Sequence, residues 1–201
     1  AIIPARGGSK RIKGKNIKNF FGIPIIYYII EAAIETNLFD KIHVSTDSDQ
    51  IKEIINKKNI DIDFMRPGNI SDDKTPLMTV LSYVVREFDS LGLYFDEIWL
   101  LMACSPLIKS TDLLDASKVF SNQNLPQKPL LAVSEFPVPI EWSFYKSKSG
   151  ELIPRFKDQF KKRSQDFPKS FFDSGNFAIF PRKKIIESSG AGSDSGFLGY
   201  T

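Results

Sequence analysis

Residues 1–17 read AIIPARGGSKRIKGKNI: a short apolar run empties into a glycine pair set among positive charges. Arg6, Lys10, Arg11, Lys13, Lys15 and Lys18 all precede the first acidic residue, Glu31. The whole chain carries a formal net charge of only +3, less than this one segment contributes, so the basic character is local and asks for a local anion. In open α/β sheets, ligands sit beyond the carboxyl ends of strands, near a reversal of strand order. Gly7 and Gly8 let backbone N–H groups approach an anion, and Lys and Arg add charge-assisted hydrogen bonds. A polyphosphate fits that description, although neither GxxxxGK[ST] nor GxGxxG occurs. A solvated basic turn or a weak nucleic-acid patch is the bland alternative. No aromatic ring stands between Arg6 and Lys18 to stack on single-stranded bases, so no nucleic-acid partner is expected.

Outward from this loop the pattern alternates strand and helix. Ala1 to Pro4 reads as a strand, and GIPIIYYIIEAAIET (22–36) as a helix with Ile25, Ile26, Ile29, Ile30, Ala33 and Ile34 on its apolar stripe and Pro24 in its first turn. KIHVST (41–46) is a second strand, and TDSDQ (46–50) supplies caps for the next helix, Asp47 among them. Asp63 to Met65 adds a short strand before a polar loop from Arg66 to Lys74. Pro76 to Phe88 is helical in spacing, EIWLLMAC (97–104) is a strongly apolar strand, and Thr111 or Asp112 caps another helix. PLLAVSEF (129–136) and FFDSGNFAIF (171–180) are further strands, and PRKKIIES (181–188) starts a last helix. Strands separated by helices of this length need crossover connections, which predicts a Rossmann-like, doubly wound, three-layer α/β/α fold with a mostly parallel sheet. Residues 137–169, rich in Pro and aromatics and with a hairpin at GELIPRF (150–156), read as an excursion from a single domain spanning 1–201, either a lid or a dimer arm.

The totals fit one ordinary globular domain, at 201 residues with 42% hydrophobic and 25% charged content. No run approaches the roughly 18 apolar residues of a membrane span, so the expected setting is cytoplasmic with no membrane partner. One cysteine, Cys104, and one histidine, His43, exclude an internal disulfide and the usual zinc site, so a metal would need oxygen ligands. His43 lies inside a strand, which argues against a Cys or Ser nucleophile activated by histidine. Cys104 reads as a small buried residue beside the site. In DSGNF (173–177) polar atoms border the core and need partners.

The stretch IIPARGGSKRIKGKNIKNFFGIPIIYYIIEAA (2–33), followed in order by KIHVSTDSDQI, FMRPGNISDD, LLMACSPLI and FFDSGNFAIF, resembles the sugar-activating cytidylyltransferases that couple CTP to nine-carbon 2-keto acids. SEFPVPIEW (134–142) and RSQDFP (163–168) are similar to the pseudaminic acid branch of that family. Where the neuraminate and legionaminate branches read closer to LLQPTSPLR, this chain has Met102, Ala103, Cys104 and Ile108. The resemblance implies a nucleotidyltransferase fold and attack by a sugar hydroxyl on the α-phosphorus of CTP. By the same resemblance Ala5, Arg6, Gly8, Ser9, Lys10, Lys15 and Asn16 hold the triphosphate and ribose, with Lys15, Arg6 and Lys10 catalytic. Arg66 and the loop to Thr75 face cytosine. Ser105, Gln165, Asp173, Ser174, Gly175 and Asn176 line the sugar side, Gln165 reaching it from the excursion. The implied cofactor is Mg²⁺ and the implied assembly a homodimer. The family's DIDTxED-like segment, which supplies metal-binding aspartates, is expected beyond Thr201. The chain starts mid-strand without Met, so both ends read as trimmed, and a 201-residue form is expected to be a poor catalyst.

Overall fold

The computed structural model describes residues 1–9, 12–124, 127–188 and 196–201. In chain order the elements are β1 (Ile2–Pro4), β2 (Asn19–Phe20), β3 (Ile23–Pro24), α1 (Ile26–Thr36), β4 (His43–Ser45) and α2 (Asp49–Asn56). Next come α3 (Leu77–Ser90), β5 (Glu97–Leu101), α4 (Ser110–Ser121), β6 (Leu130–Glu135), β7 (Phe144–Lys146) and β8 (Leu152–Pro154). The chain closes with β9 (Phe171–Pro181), α5 (Arg182–Ile186) and β10 (Leu198–Tyr200). The main sheet has six strands in the order β10-β6-β9-β5-β1-β4. β1 runs parallel to both β4 and β5, and β5 pairs antiparallel with β9. From β1 the chain moves to β4 on one side and then to β5 on the other, so the order reverses at β1.

Why the strands look apolar throughout follows from this layering. Ile2, Ile98, Leu100, Ala178 and Phe180 pack with Leu81, Val84, Val85 and Phe88 of α3 and with Ile185 of α5. Successive side chains on a strand point to opposite faces, so Ile3, Trp99, Leu101, Phe177 and Ile179 face the other way, and all are buried. A second helix pair, α1 against α4, buries Ile26, Ile29, Ile30, Leu113, Ala116 and Phe120. Both faces of the sheet are covered, and strands of that kind read as continuous apolar runs rather than alternating ones. Among the described residues no helix is long and apolar enough to cross a membrane.

Several local expectations are corrected. Pro24 lies in the β2–β3 ribbon, not in the first turn of α1, which begins at Ile26. Ile34 is 46% exposed, because α1 turns its stripe so that Ala32 and Thr36 are buried instead. Asp63 to Met65 forms no strand: Asp63 pairs with Lys41 and His43, and Phe64 packs on His43 and Phe88, so side chains rather than ladder bonds hold the segment. Ser48, not Asp47, caps α2, its Oγ accepting from the Ile51 N–H at 3.4 Å. Neither Thr111 nor Asp112 is the N-cap of α4, since both lie inside it; Asp112 reaches back to accept from the Lys109 N–H.

His43 is fully buried, wedged between Phe64 and Phe88, with Nδ1 3.3 Å from Asp63. Burial pushes its pKa from 6.5 down to about 4, against the pull of the Asp63 carboxylate. The folded-state pKa is thus below the unfolded one, and between those values the unfolded chain binds more protons. Stability should therefore fall as pH drops from 6.5 toward 4, by roughly 3 kcal/mol once His43 is protonated. Thermal midpoints across that window check this, and His43→Leu should flatten the acid slope. An unchanged slope in the variant would place the titrating group elsewhere.

Residues 132–174 form a second compact unit, entered through β6 and left through β9. Its β7–β8 hairpin pairs Phe144 with Pro154 and Lys146 with Leu152, and turns through Gly150 at φ 92°. Trp142 stacks on Phe160 and meets Phe167 edge-on, while its indole N–H donates to the Gln159 carbonyl at 3.3 Å. Val138, Tyr145, Leu152, Ile153 and Phe160 of this unit are exposed. An apolar hollow of about 220 Å³ lies among Phe136, Val138, Ile140, Trp142 and Phe156.

Candidate active site

The carboxyl ends of β1 and β5 are neighbours at the reversal of strand order, and a cleft of about 650 Å³ opens there. Its walls come from the loop after β1 (Arg6, Ser9, Ile12, Lys15, Asn16), the segment leading into α3 (Arg66, Ile70, Asp72, Asp73, Thr75) and the loop after β5 (Met102, Ala103, Cys104). Pockets of a few hundred to a thousand Å³ suit ligands of nucleotide size.

The basic loop is pinned at both ends. Ala5 is buried and extends the ladder, its N–H donating to the Ser45 carbonyl at 2.9 Å. The Gly7 N–H donates to Asp47 Oδ1 at 2.8 Å. Gly7 also lies so close to the next loop that a Cβ there would come within 2.9 Å of the Ser48 Cβ, whereas a Cβ on Gly8 would meet nothing within 4 Å. Close approach therefore demands glycine at position 7 for packing, and Gly8 is the open one. Gly14, at φ 63°, starts the short turn Lys15–Ile17. From that turn Asn16, 8% exposed, donates through Nδ2 to the Arg6 carbonyl at 3.1 Å and accepts the Cys104 thiol at 3.3 Å.

Arg6, Lys15 and Arg66 bring three cations to the cleft wall, which Asp72 and Asp73 also line. Arg66 is 6% exposed, and its Nε and Nη2 find no hydrogen-bond partner among the described residues. Burial pulls its pKa down, the Asp47 carboxylate pulls it up, and the like charge of Arg6 lowers it further. A buried guanidinium with empty donors beside a second arginine is costly unless an anion or carbonyl completes it. Among the described residues no carboxylate forms an ion pair with Arg6, Lys15 or Arg66. Asp72 is committed elsewhere: its Oδ1 accepts from the Thr75 hydroxyl and from the N–H groups of Thr75 and Lys74. The Thr75 hydroxyl and the two N–H groups hold the Asp72 carboxyl below its ordinary pKa.

Of the residues expected to contact CTP, Arg6, Ser9, Lys15, Asn16, Arg66 and Thr75 line this one cleft. Ala5 lies behind it as ladder backbone, and Lys10 lies outside the described residues. Ser105 is buried and does not line the cleft; its hydroxyl sits 3.5 Å from the Asn176 carbonyl, which also accepts the Met102 N–H. Gly175 takes φ 66° beside Asn176 in β9. Gln165, Asp173 and Ser174 belong to the second unit, where Gln165 is exposed and Ser174 donates to the Ala132 carbonyl at 2.8 Å. Cys104 stands beside the cleft as expected, half-buried and donating to Asn16, and one role is new: Asp47 holds the glycine loop. Both contacts depend on pairings, across 88 and 40 positions, for which spacing carries no signal.

Magnesium is normally held by carboxylates, waters and substrate phosphates. Among the described residues no three His, Cys, Asp or Glu side chains come together, and Asp72 already accepts three hydrogen bonds. The described residues therefore build no all-protein Mg²⁺ cage, while Asp72 and Asp73 on the cleft wall would supply the one or two carboxylates that hold a phosphate-bound ion.

A cationic, nucleotide-sized cleft at the switch point of a mostly parallel, double-faced sheet is the architecture of an α/β nucleotide-binding protein. A family model described as cytidylyltransferase matches residues 1–152. The chain is 36% identical over 187 residues to the pseudaminic acid cytidylyltransferase of Campylobacter jejuni, spanning 92% of this chain and 79% of that one. To the CMP-N,N'-diacetyllegionaminic acid synthase of Legionella pneumophila it is 27% identical, over 94% of this chain and 80% of the other. A solved CMP:2-keto-3-deoxy-manno-octonic acid synthetase complexed with CTP shares the fold, with TM-score 0.68 at 16% identity over 92% of this chain and 74% of that chain. The protein belongs to the cytidylyltransferase family and is an enzyme of the nucleotidyltransferase class.

Proposed function

We propose that the protein transfers CMP from CTP to pseudaminate, a nine-carbon 2-keto sugar acid, releasing pyrophosphate. The carrying observation is the cleft's set of cations, above all the buried Arg66, whose Nε and Nη2 have no partner among the described residues. The sugar's anomeric hydroxyl oxygen forms a bond to the α-phosphorus, the bond from that phosphorus to the bridging oxygen breaks, and the hydroxyl proton leaves to solvent. Both reactants are anions, so positioning and charge neutralisation dominate the barrier. Lys15 takes the charge that develops at the α-phosphate; Arg6 and Lys10 hold the outer phosphates; Arg66, with the loop to Thr75, takes the cytosine end. Ser105, Gln165, Asp173, Ser174, Gly175 and Asn176 are assigned to the sugar side. The choice of pseudaminate is supported by the 36% identity to the Campylobacter enzyme, against 27% to the legionaminic acid synthase.

The exposed apolar side chains of the second unit support its use as the arm of a homodimer, and the need for CTP points to the cytoplasm. The reading is tested by pyrophosphate release with CTP and Mg²⁺, offering pseudaminate, legionaminate and N-acetylneuraminate in parallel. Turnover with pseudaminate alone is the expected result. Turnover with another of the three renames the substrate, and silence with all three despite CTP binding makes the protein a non-catalytic nucleotide module.

A further inference from the structure

Asn16 is buried, and a primary amide offers one oxygen and one NH₂ group whose places exchange on rotation about the terminal bond. In the orientation observed each end meets its complement. Nδ2 donates to the Arg6 carbonyl at 3.1 Å, and Oδ1 receives the Cys104 thiol at 3.3 Å. The flipped amide would set oxygen against the Arg6 carbonyl oxygen. Burial raises the Cys104 pKa, with the Lys15 charge opposing, so the sulfur keeps its proton at neutral pH and remains a donor. The thiol also lies 3.9 Å from the Lys15 carbonyl oxygen. One short relay thus runs from the end of β5, through the turn at Asn16, to the backbone of the first cation after β1.

We propose that Cys104 is a positioning residue that, through Asn16, fixes the Arg6 backbone at the mouth of the cleft and so sets how tightly a nucleoside triphosphate is held. The inference rests on the CTP reading of this cleft. A second observation points to a ligand there independently of the thiol. Arg66, 6% exposed, lines the same cleft with Nε and Nη2 unpartnered among the described residues, so the wall that Arg6 shares with it offers donors to a ligand. Placement of Arg6 therefore has an anion to act on.

The test is CTP affinity by titration calorimetry for the parent, Cys104→Val and Cys104→Ser, each also in an Arg6→Ala background. Valine keeps the bulk, removes the donor and leaves a buried oxygen unpaired, so binding should weaken about tenfold. Serine keeps a donor and should stay within about threefold of the parent. In the Arg6→Ala background the valine change should cost less than about twofold, because the relay ends on Arg6. A purely structural role would cost the same in both backgrounds and would not be rescued by serine. Either that pattern, or parental affinity in Cys104→Val, overturns the proposal. Thermal midpoints check folding, and Cys104→Ala replaces the valine variant if that one is unstable. A parent that binds no CTP brings down the reading of the cleft together with this inference; a parent that binds, with indifferent variants, brings down the inference alone.

Discussion

Arg66→Met should raise the thermal midpoint of the free protein while lowering its CTP affinity about a hundredfold. The two effects have one cause. In the free protein the guanidinium is buried with two donors that find no partner among the described residues, and its pKa is drawn down by that burial. A charge so placed costs stability, and exchanging it for an apolar side chain of similar length is commonly neutral or stabilising by about 1 kcal/mol or more. The nearby Asp47 carboxylate then loses a cation, which offsets part of the gain. A ligand that fills both donors recovers charge-assisted bonds of about 1.5–3 kcal/mol each, and the variant forfeits them. Thermal unfolding with and without CTP reads both effects at once. A lower midpoint in the free variant, or unchanged CTP affinity, would mean that Arg66 serves the fold rather than the ligand.

Lys15→Ala should lower kcat/KM about a hundredfold, most of it in kcat. Lys15 stands on the short turn started by Gly14, lines the cleft and has no carboxylate among the described residues to pair with. Its compact ammonium can follow charge that grows at the α-phosphate, and an interaction stronger in the transition state than in the ground state acts on kcat. If steady-state kinetics instead show KM rising with kcat intact, Lys15 contributes uniform binding only. Unchanged kinetics would remove it from the mechanism.

Much of the scaffold was legible in the chain. The apolar run before ARGGSK, the stripe of α3 and the unbroken EIWLL strand each follow from burial on one or both faces, and periodicity records burial directly. The cations of the first loop were legible too, because a one-sided charge run is visible without a fold. Other expectations failed where a residue's partner lies far off in sequence. Asp47 read as a helix cap and instead holds Gly7; Asp63 to Met65 read as a strand and is held by Lys41, His43 and Phe88. Asn16, expected at the nucleotide, lines the cleft, and its amide also bonds within the protein to the Arg6 carbonyl and the Cys104 thiol.

Composition alone sets the chemistry available: a local excess of cations, glycines where backbone must come close, and a single thiol and imidazole, too few for the usual zinc site. Tertiary structure decided the allocation. A donor or acceptor has few bonds to give, and proximity in the fold determines whether they are met inside the protein, as at Asp72 Oδ1, or find no partner among the described residues, as at Arg66 Nε and Nη2. That choice depends on distances between segments tens of residues apart, which no local pattern encodes.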